Sequence, residues 1–174
     1  TCITINSNLI KKVYFPREIL PISVVTSGLV NFLISCVIIL IFVLLGGCGI
    51  SWHLVFLPLI ALVQYIISLA IIFLLSAFNV YVKDVEYMVG FIINLLFYAT
   101  PVLYSTEMFQ GSWMIWLFRL NPMAHLINAY RDIFYVHRIP QIQNLLILLI
   151  FGIVILVLCY RVFKKLEKRF AEEI

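Results

Sequence analysis

Side chains that could bind a metal ion or transfer a proton are few and widely separated in this sequence. The three histidines, His53, His125 and His137, have no carboxylates at metal-ligand spacing, and the four cysteines show no paired spacing. We therefore expect no metal site, no disulfide framework and no hydrolytic centre. The longest apolar runs also contain no Asp, Glu, Lys or Arg, which ion-coupled carriers usually place inside the membrane. No residue stands out as catalytic.

The polar segment 8–21 offers a different chemistry, the docking of another protein. An apolar Val-Tyr-Phe triplet lies there between basic residues, and helix is disfavoured just before Pro16 and Pro21. A rigid apolar projection flanked by charges suits a partner's groove, although such basic residues also bind anionic lipid headgroups. The spacing leaves both interpretations open. The candidate docking residues are Lys12, Val13, Tyr14, Phe15, Pro16, Arg17 and Glu18.

The composition places these segments in a membrane protein. Apolar residues make up 64% of the 174 residues and charged residues 11%, whereas a soluble domain carries about 25% charged residues. A domain of this size in water still exposes roughly a third of its unfolded surface, which so few polar side chains could not cover. Soluble enzymes, nucleic-acid-binding proteins and disordered chains are thereby excluded. The predicted fold class is all-α integral membrane.

Four apolar runs are candidate transmembrane helices, because a crossing needs about 20 residues. They lie at about 22–45, 54–78, 87–103 and 142–160. A glycine-rich turn at 46–53 separates the first two, and a charged loop containing Lys83, Asp84 and Glu86 precedes the third. The chain is thus predicted to form one transmembrane domain over 1–174, ending in a basic tail at 161–174.

The segment 104–141 contains no run long enough to cross the bilayer. Asn121-Pro122 is a favourable helix start there, since Asn caps helices and Pro is tolerated at the first helical position. Apolar residues then follow at helical spacing, which predicts an amphipathic helix in the interface or partly in the bilayer. A shorter helix is expected at 113–120. Two helices that do not cross would leave the third and fourth spans antiparallel.

The basic residues predict the orientation. If both termini lie on one side, that side receives nine of the twelve Lys and Arg residues. The other side receives Arg119, Arg131 and Arg138. The positive-inside rule then places both termini and the Lys83 loop in the cytoplasm, and 104–141 outside.

A stripe of small polar residues follows one face of the first predicted span. Its members, Ser23, Ser27, Asn31 and Ser35, recur every four residues. Such residues allow helices to approach closely and to hydrogen-bond, which favours helix packing over the alternative, the wall of a polar conduit. Both interpretations predict a multi-helix assembly rather than a lone anchor.

Several stretches of the sequence, taken in order, resemble one family of transport proteins. They are Lys-Lys-Val-Tyr-Phe-Pro-Arg-Glu-Ile-Leu-Pro at 11–21, Asn-Val-Tyr-Val-Lys-Asp-Val-Glu at 79–86, Thr-Pro-Val-Leu-Tyr at 100–104, Leu-Asn-Pro-Met-Ala-His-Leu-Ile at 120–127 and Tyr-Arg-Asp at 130–132. Together they are similar to type 2 ATP-binding-cassette exporter permeases, in particular to the group that exports O-antigen, capsule and teichoic acid polysaccharides. The resemblance covers essentially the whole sequence.

This resemblance implies partners and an energy source. The permease would form a homodimer in the bacterial cytoplasmic (inner) membrane, pair with two copies of an ATP-binding subunit and pass a lipid-linked glycan outward. ATP and magnesium would belong to that subunit, so this chain would need no cofactor and would not be an enzyme. Segment 12–18 would couple to the ATPase. Since family members have six spans and this sequence begins at Thr1, we expect two further spans upstream.

The resemblance also implies an outward path and gate at the third span and the segment after it. Aromatic rings can stack on the apolar faces of sugars, although an interfacial aromatic belt is the common alternative. The candidates are Tyr98, Pro101, Tyr104, Trp113, Trp116, Asn121, Pro122, Tyr130, Arg131 and Asp132. Alternative functions are a permease of the same type for a drug or lipid, or an ion-coupled carrier or membrane enzyme whose key residues lie upstream.

Overall fold

The computed structural model describes residues 18–46, 52–82, 84–100 and 121–167, and every regular element in them is helical. Helix α1 is Ile19–Leu45, and a 3₁₀ turn at Trp52–Phe56 leads into α2, Leu57–Tyr81. Helix α3 is Val85–Ala99 and α4 is Pro122–Arg131, which continues as a π-helical turn at Asp132–Val136. Helix α5, Ile142–Glu167, completes the described chain.

Three of these elements are long and apolar enough to cross a bilayer. They are α1, the continuous stretch Trp52–Tyr81 and α5, with 27, 30 and 26 residues. At about 1.5 Å per residue, each exceeds the roughly 30 Å of hydrocarbon in a bilayer. The first, second and fourth predicted spans lie within them. The prediction of an all-α integral membrane fold is confirmed.

The third predicted span corresponds to α3, which is shorter. Its 15 residues cover only about 22 Å, and the part of the prediction at 101–103 lies outside the described residues. The helix ends at Ala99 because Thr100 adopts an extended conformation, with φ −109° and ψ 139°. The residue before a proline is biased toward that conformation, and residue 101 is a proline.

Helix α5 extends two turns beyond the predicted span, into the segment predicted as a basic tail. The extension is stabilised by the side chain of Phe163, which is fully buried and makes an edge-to-face contact with Phe73 of α2, with ring centroids 5.2 Å apart. The Tyr81 hydroxyl also donates to the Leu166 carbonyl oxygen at 3.0 Å. These contacts hold the last turns of α2 and α5 together.

Helices α2 and α5 form the most extensive pair, and two apolar clusters lie along it. A Cβ added at Gly152 of α5 would lie 3.2 Å from the side chains of Ile66 and Ile67, so this glycine permits a close approach. The first cluster also includes α4, and the second lies at the opposite end of the pair. The first contains Ile60, Val63, Ile67, Leu126, Ala129, Ile133, Leu145 and Leu148, and the second contains Phe73, Ala77, Val80, Cys159 and Phe163.

Helix α1 packs on α2 through the face opposite to its polar stripe. Pro21 and Cys36 are buried, and the hydroxyls of Thr26 and Tyr65 lie 3.0 Å apart. The stripe residues Ser23, Ser27, Asn31 and Ser35 are all exposed. Within the described residues, the stripe therefore does not form the contact between α1 and α2.

Candidate functional site

The predicted gate helix begins where the sequence places it. Asn121 has an extended backbone and precedes Pro122 at the first helical position, and its Oδ1 accepts from the Met123 backbone N–H at 3.0 Å. This bond satisfies one of the amide groups that a helix start leaves without an intrahelical partner. The cap fixes the start of α4.

The same asparagine connects α4 to the end of α3. Its Nδ2 donates to the buried Thr100 hydroxyl at 3.2 Å, and that hydroxyl donates to the Leu96 carbonyl oxygen at 2.7 Å. Residues 100 and 121, which flank the segment 101–120, are therefore held together by side-chain hydrogen bonds. No motif in the sequence singles out Thr100, since a hydroxyl at a helix end is common.

Helix α4 packs inside the bundle alongside α2 and α5. Leu126 and Ala129 are buried in the cluster that contains Ile60 to Ile67 of α2, a stretch that rises about 10 Å. With 10 residues, α4 is about 15 Å long, half the thickness of the hydrocarbon layer. The turn at Asp132–Val136 contacts Trp52–Phe56. Helix α4 thus enters part of the depth of the bundle without crossing it.

Tyr130 joins three helices at this end. Its hydroxyl donates to Gln64 Oε1 of α2 at 2.7 Å, and its ring makes an edge-to-face contact with Phe32 of α1, with centroids 5.3 Å apart. In the structure, the half-buried side chain of Tyr130 connects α4 to α1 and α2, and its place on the transport path stays a prediction. Gln64 lies in the second predicted span, and its glutamine amide is the only sequence signal of this contact.

Asp132 closes the turn that follows α4. Its buried carboxylate pairs with Arg138, with Oδ1 and Nε 2.7 Å apart, and its carbonyl oxygen accepts from the Arg138 backbone N–H at 3.1 Å. His137 between them has a left-handed backbone, with φ 55° and ψ 43°. Arg131 is half-buried. The carboxylate and guanidinium six residues apart hold the chain as it returns toward α5.

Tyr98 lies on α3, whose side chains are almost all exposed. Tyr98 is 71% exposed and its ring contacts the neighbouring Phe97. The predicted path residues Pro101, Tyr104, Trp113 and Trp116 lie outside the described residues. Their relation to Tyr98 stays a prediction.

Glu18 lies at the end of the helix bundle opposite α4. It is the first described residue and the only described member of the predicted docking set. Its carboxylate accepts from the Tyr160 hydroxyl at 2.7 Å and pairs with the Lys164 ammonium, which also pairs with Glu167 at 3.3 Å. The ammonium and then the hydroxyl hold the pKa of the Glu18 carboxyl below its usual value. The docking residues 12–17 lie outside the described residues.

The predicted charged loop before the third span, which contains Lys83, Asp84 and Glu86, is described in part. Lys83 lies outside the described residues, and Asp84 precedes α3, with its carbonyl oxygen accepting from the Met88 backbone N–H at 3.1 Å. Glu86 belongs to the first turn of α3. An acidic residue just before a helix is favourable because it lies near the positive end of the helix dipole. Asp84 thus marks the beginning of α3.

Among the described residues, no three His, Cys, Asp or Glu side chains are close enough together to hold a metal ion. Several of the described polar contacts connect one helix to another. One set joins α3, α4, α1 and α2 around Asn121 and Tyr130, and the other joins the start of α1 to α5 around Glu18. Such contacts position the helices relative to one another.

Comparison with known proteins identifies the family. The family described as ABC-2 type transporter matches residues 2–135. The chain is 36% identical over 168 residues to the O-antigen export system permease protein RfbA of Myxococcus xanthus, a match that covers 96% of this chain and 65% of the relative. Two Klebsiella pneumoniae proteins of the same name are 34% and 33% identical, with 96% of this chain and 64% of each relative covered. The chain thus spans slightly less than two thirds of the length of these curated relatives. It belongs to the ABC-2 type transporter family.

Proposed function

We propose that this chain is part of the permease subunit of an ATP-driven exporter that moves a lipid-linked polysaccharide across the bacterial cytoplasmic membrane. The observation that carries the proposal is the likeness to relatives named O-antigen export permeases, at 33–36% identity over 96% of the chain. The stretches 22–45, 54–78 and 142–160 of the long apolar helices contain no Asp, Glu, Lys or Arg, which agrees with a passive conduit that takes its energy from a partner.

The proposed partner is a separate ATPase subunit in two copies, which would hold ATP and magnesium. Segment 12–18 of the permease would dock into that subunit, with Tyr14 and Phe15 as the apolar contact, while the loop at Lys83 and Asp84 would lie on the same cytoplasmic face. A second copy of the permease would complete the conduit. The end at which Glu18 contacts α5 lies opposite α4, which agrees with a docking end and a gate end.

The proposed gate is formed by α4 and the segment that precedes it. Helix α4 enters only part of the depth of the bundle, as a closing element at the mouth of a conduit would. Tyr98, Tyr104, Trp113 and Trp116 would offer aromatic faces to the sugar rings. Tyr130, Asn121 and the Asp132–Arg138 pair would hold the gate helix in place behind them.

Deleting the gene in its own organism and restoring it on a plasmid tests this function. We expect the deletion strain to lose surface polysaccharide on gels and in antibody labelling, and to accumulate lipid-linked glycan at the cytoplasmic face of the inner membrane. The full-length protein should co-purify with an ATPase. If the deletion strain keeps its surface polysaccharide and loses the efflux of a drug or a lipid, the substrate is that drug or lipid and not a glycan.

A further inference from the structure

Glu18 belongs at once to the end of the docking segment and to the start of α1. Its carbonyl oxygen accepts from the Ile22 backbone N–H at 3.3 Å, so it is part of the first turn of the helix. Any displacement of the preceding residues reaches α1 through this position.

The side chain of Glu18 also contacts α5, 142 residues further along the chain. Tyr160 and Lys164 are one helical turn apart and present their polar groups to the same carboxylate. The Lys164 ammonium lies 5.9 Å from the centre of the Tyr160 ring. Next to this contact, Leu20 packs against the apolar cluster around Phe163. The start of α1 is therefore held to α5 by two polar contacts and an apolar one.

Helix α5 connects this contact to the other end of the bundle. It is a single helix of 26 residues without proline, and a rigid helix carries displacement along its length. At its first turns, Leu145 and Leu148 pack in the cluster that also contains Leu126 and Ala129 of α4. One element thus contacts both the end of the docking segment and the gate helix.

We propose that Glu18 is a positioning residue that links the docking segment to α5 through Tyr160 and Lys164, so that movement of the segment displaces α5 and, with it, α4. The inference rests on the proposed function, because the segment moves only when an ATPase partner drives it. A partly exposed ion pair such as this one contributes only modestly to folding stability. Variants of the pair should therefore fold normally and lose coupling.

The test uses the full-length permease with its ATPase in vesicles and measures glycan exported per ATP hydrolysed. We expect Glu18→Gln and Lys164→Gln each to lower this ratio about fivefold, at the low end of coupling between distant sites. The ATPase activity itself should persist in Lys164→Gln, because Lys164 lies outside the docking segment. Lys165→Gln is the matched control, because Lys165 is the exposed neighbour on the same helix. The exchanged pair, Glu18→Lys with Lys164→Glu, should regain most of the ratio lost by Glu18→Lys alone.

A wild-type ratio in Glu18→Gln would overturn the inference, and so would an exchanged pair that performs no better than Glu18→Lys. A melting temperature within a few degrees of the wild type in each variant establishes that the proteins are folded. If the unaltered protein neither binds an ATPase nor exports glycan, the proposed function itself is wrong. Export by the unaltered protein with unchanged coupling in Glu18→Gln refutes only the role of Glu18.

Discussion

Replacing Tyr130 with phenylalanine tests how α4 is held in the bundle. The change removes one hydroxyl, which donates to Gln64 Oε1 at 2.7 Å, and retains the ring that contacts Phe32. Any loss of stability then reports the hydrogen bond between α4 and α2 rather than the aromatic packing.

The expected loss of unfolding free energy follows from the position of this hydrogen bond between two helices. Hydrogen bonds between transmembrane helices average about 0.6 kcal/mol and reach about 1.7 kcal/mol. The variant also leaves Gln64 Oε1 without this donor in a half-buried position, which adds part of a desolvation cost of about 1–3 kcal/mol. We expect Tyr130→Phe to lower the free energy of unfolding by about 1 kcal/mol, roughly a fivefold change in the equilibrium constant.

A double-mutant cycle isolates the contact. Gln64→Met keeps a similar side-chain length without the amide, and the unfolding free energies of both single variants and the double variant are measured on the full-length protein in bicelles. We expect a coupling energy of about 0.5–1 kcal/mol. Tyr87→Phe is the control, because that tyrosine is 81% exposed on α3. Effects that add to within about 0.3 kcal/mol would refute the contact between Tyr130 and Gln64.

Three further predictions concern other parts of the molecule. Gly152→Leu should lower the free energy of unfolding by about 1–3 kcal/mol by overpacking, since a Cβ there lies 3.2 Å from two isoleucines of α2; Gly28→Leu, with nothing within 4 Å, should leave the melting temperature nearly unchanged. The carboxyl of Glu18 has a pKa lowered from 4.5 in the folded protein, so the ionised carboxylate stabilises the fold fully above pH 4.5 and loses this effect as the pH falls further. The melting temperatures of the wild type and Glu18→Gln should therefore converge as the pH falls below 4.5. Equal melting temperatures at pH 7 would contradict this contribution. Replacing Tyr14 and Phe15 with aspartate should abolish the stimulation of the ATPase and export while membrane insertion persists; unchanged export would refute docking through this segment.

Local signals in the sequence predict the helices well. The start of α4 follows from Asn121 and Pro122 because a cap and a fixed proline φ act within one turn. The apolar run alone predicts a span to 103, whereas α3 ends at Ala99, since Thr100 precedes a proline and adopts an extended conformation. The long spans follow from length and apolar character alone.

Contacts between helices could not be predicted in the same way. The partner of Tyr130 is 66 residues away, and the pairing depends on how far α2 and α4 rotate about their axes, which the mostly apolar surface of α2 does not reveal. The extension of α5 could not be predicted for a similar reason. Its basic residues are typical of a solvated tail, and only the fold places Glu18 next to Lys164 and buries Phe163 against α2. The polar stripe of α1 is exposed, and no second helix covers it within the described chain. Helix packing and the wall of a polar conduit therefore both stay open as interpretations.

The shortness of α3 has a consequence for the bilayer around it. A helix of about 22 Å falls about 8 Å short of the hydrocarbon layer. Each ångström of mismatch costs a fraction of a kcal/mol, which a membrane reduces by thinning locally. Because the described side chains of α3 are exposed on nearly every face, we expect lipid tails to contact this helix directly and to adjust to its length. Under the proposed function, this thinning shortens the apolar barrier that a hydrophilic polymer has to cross.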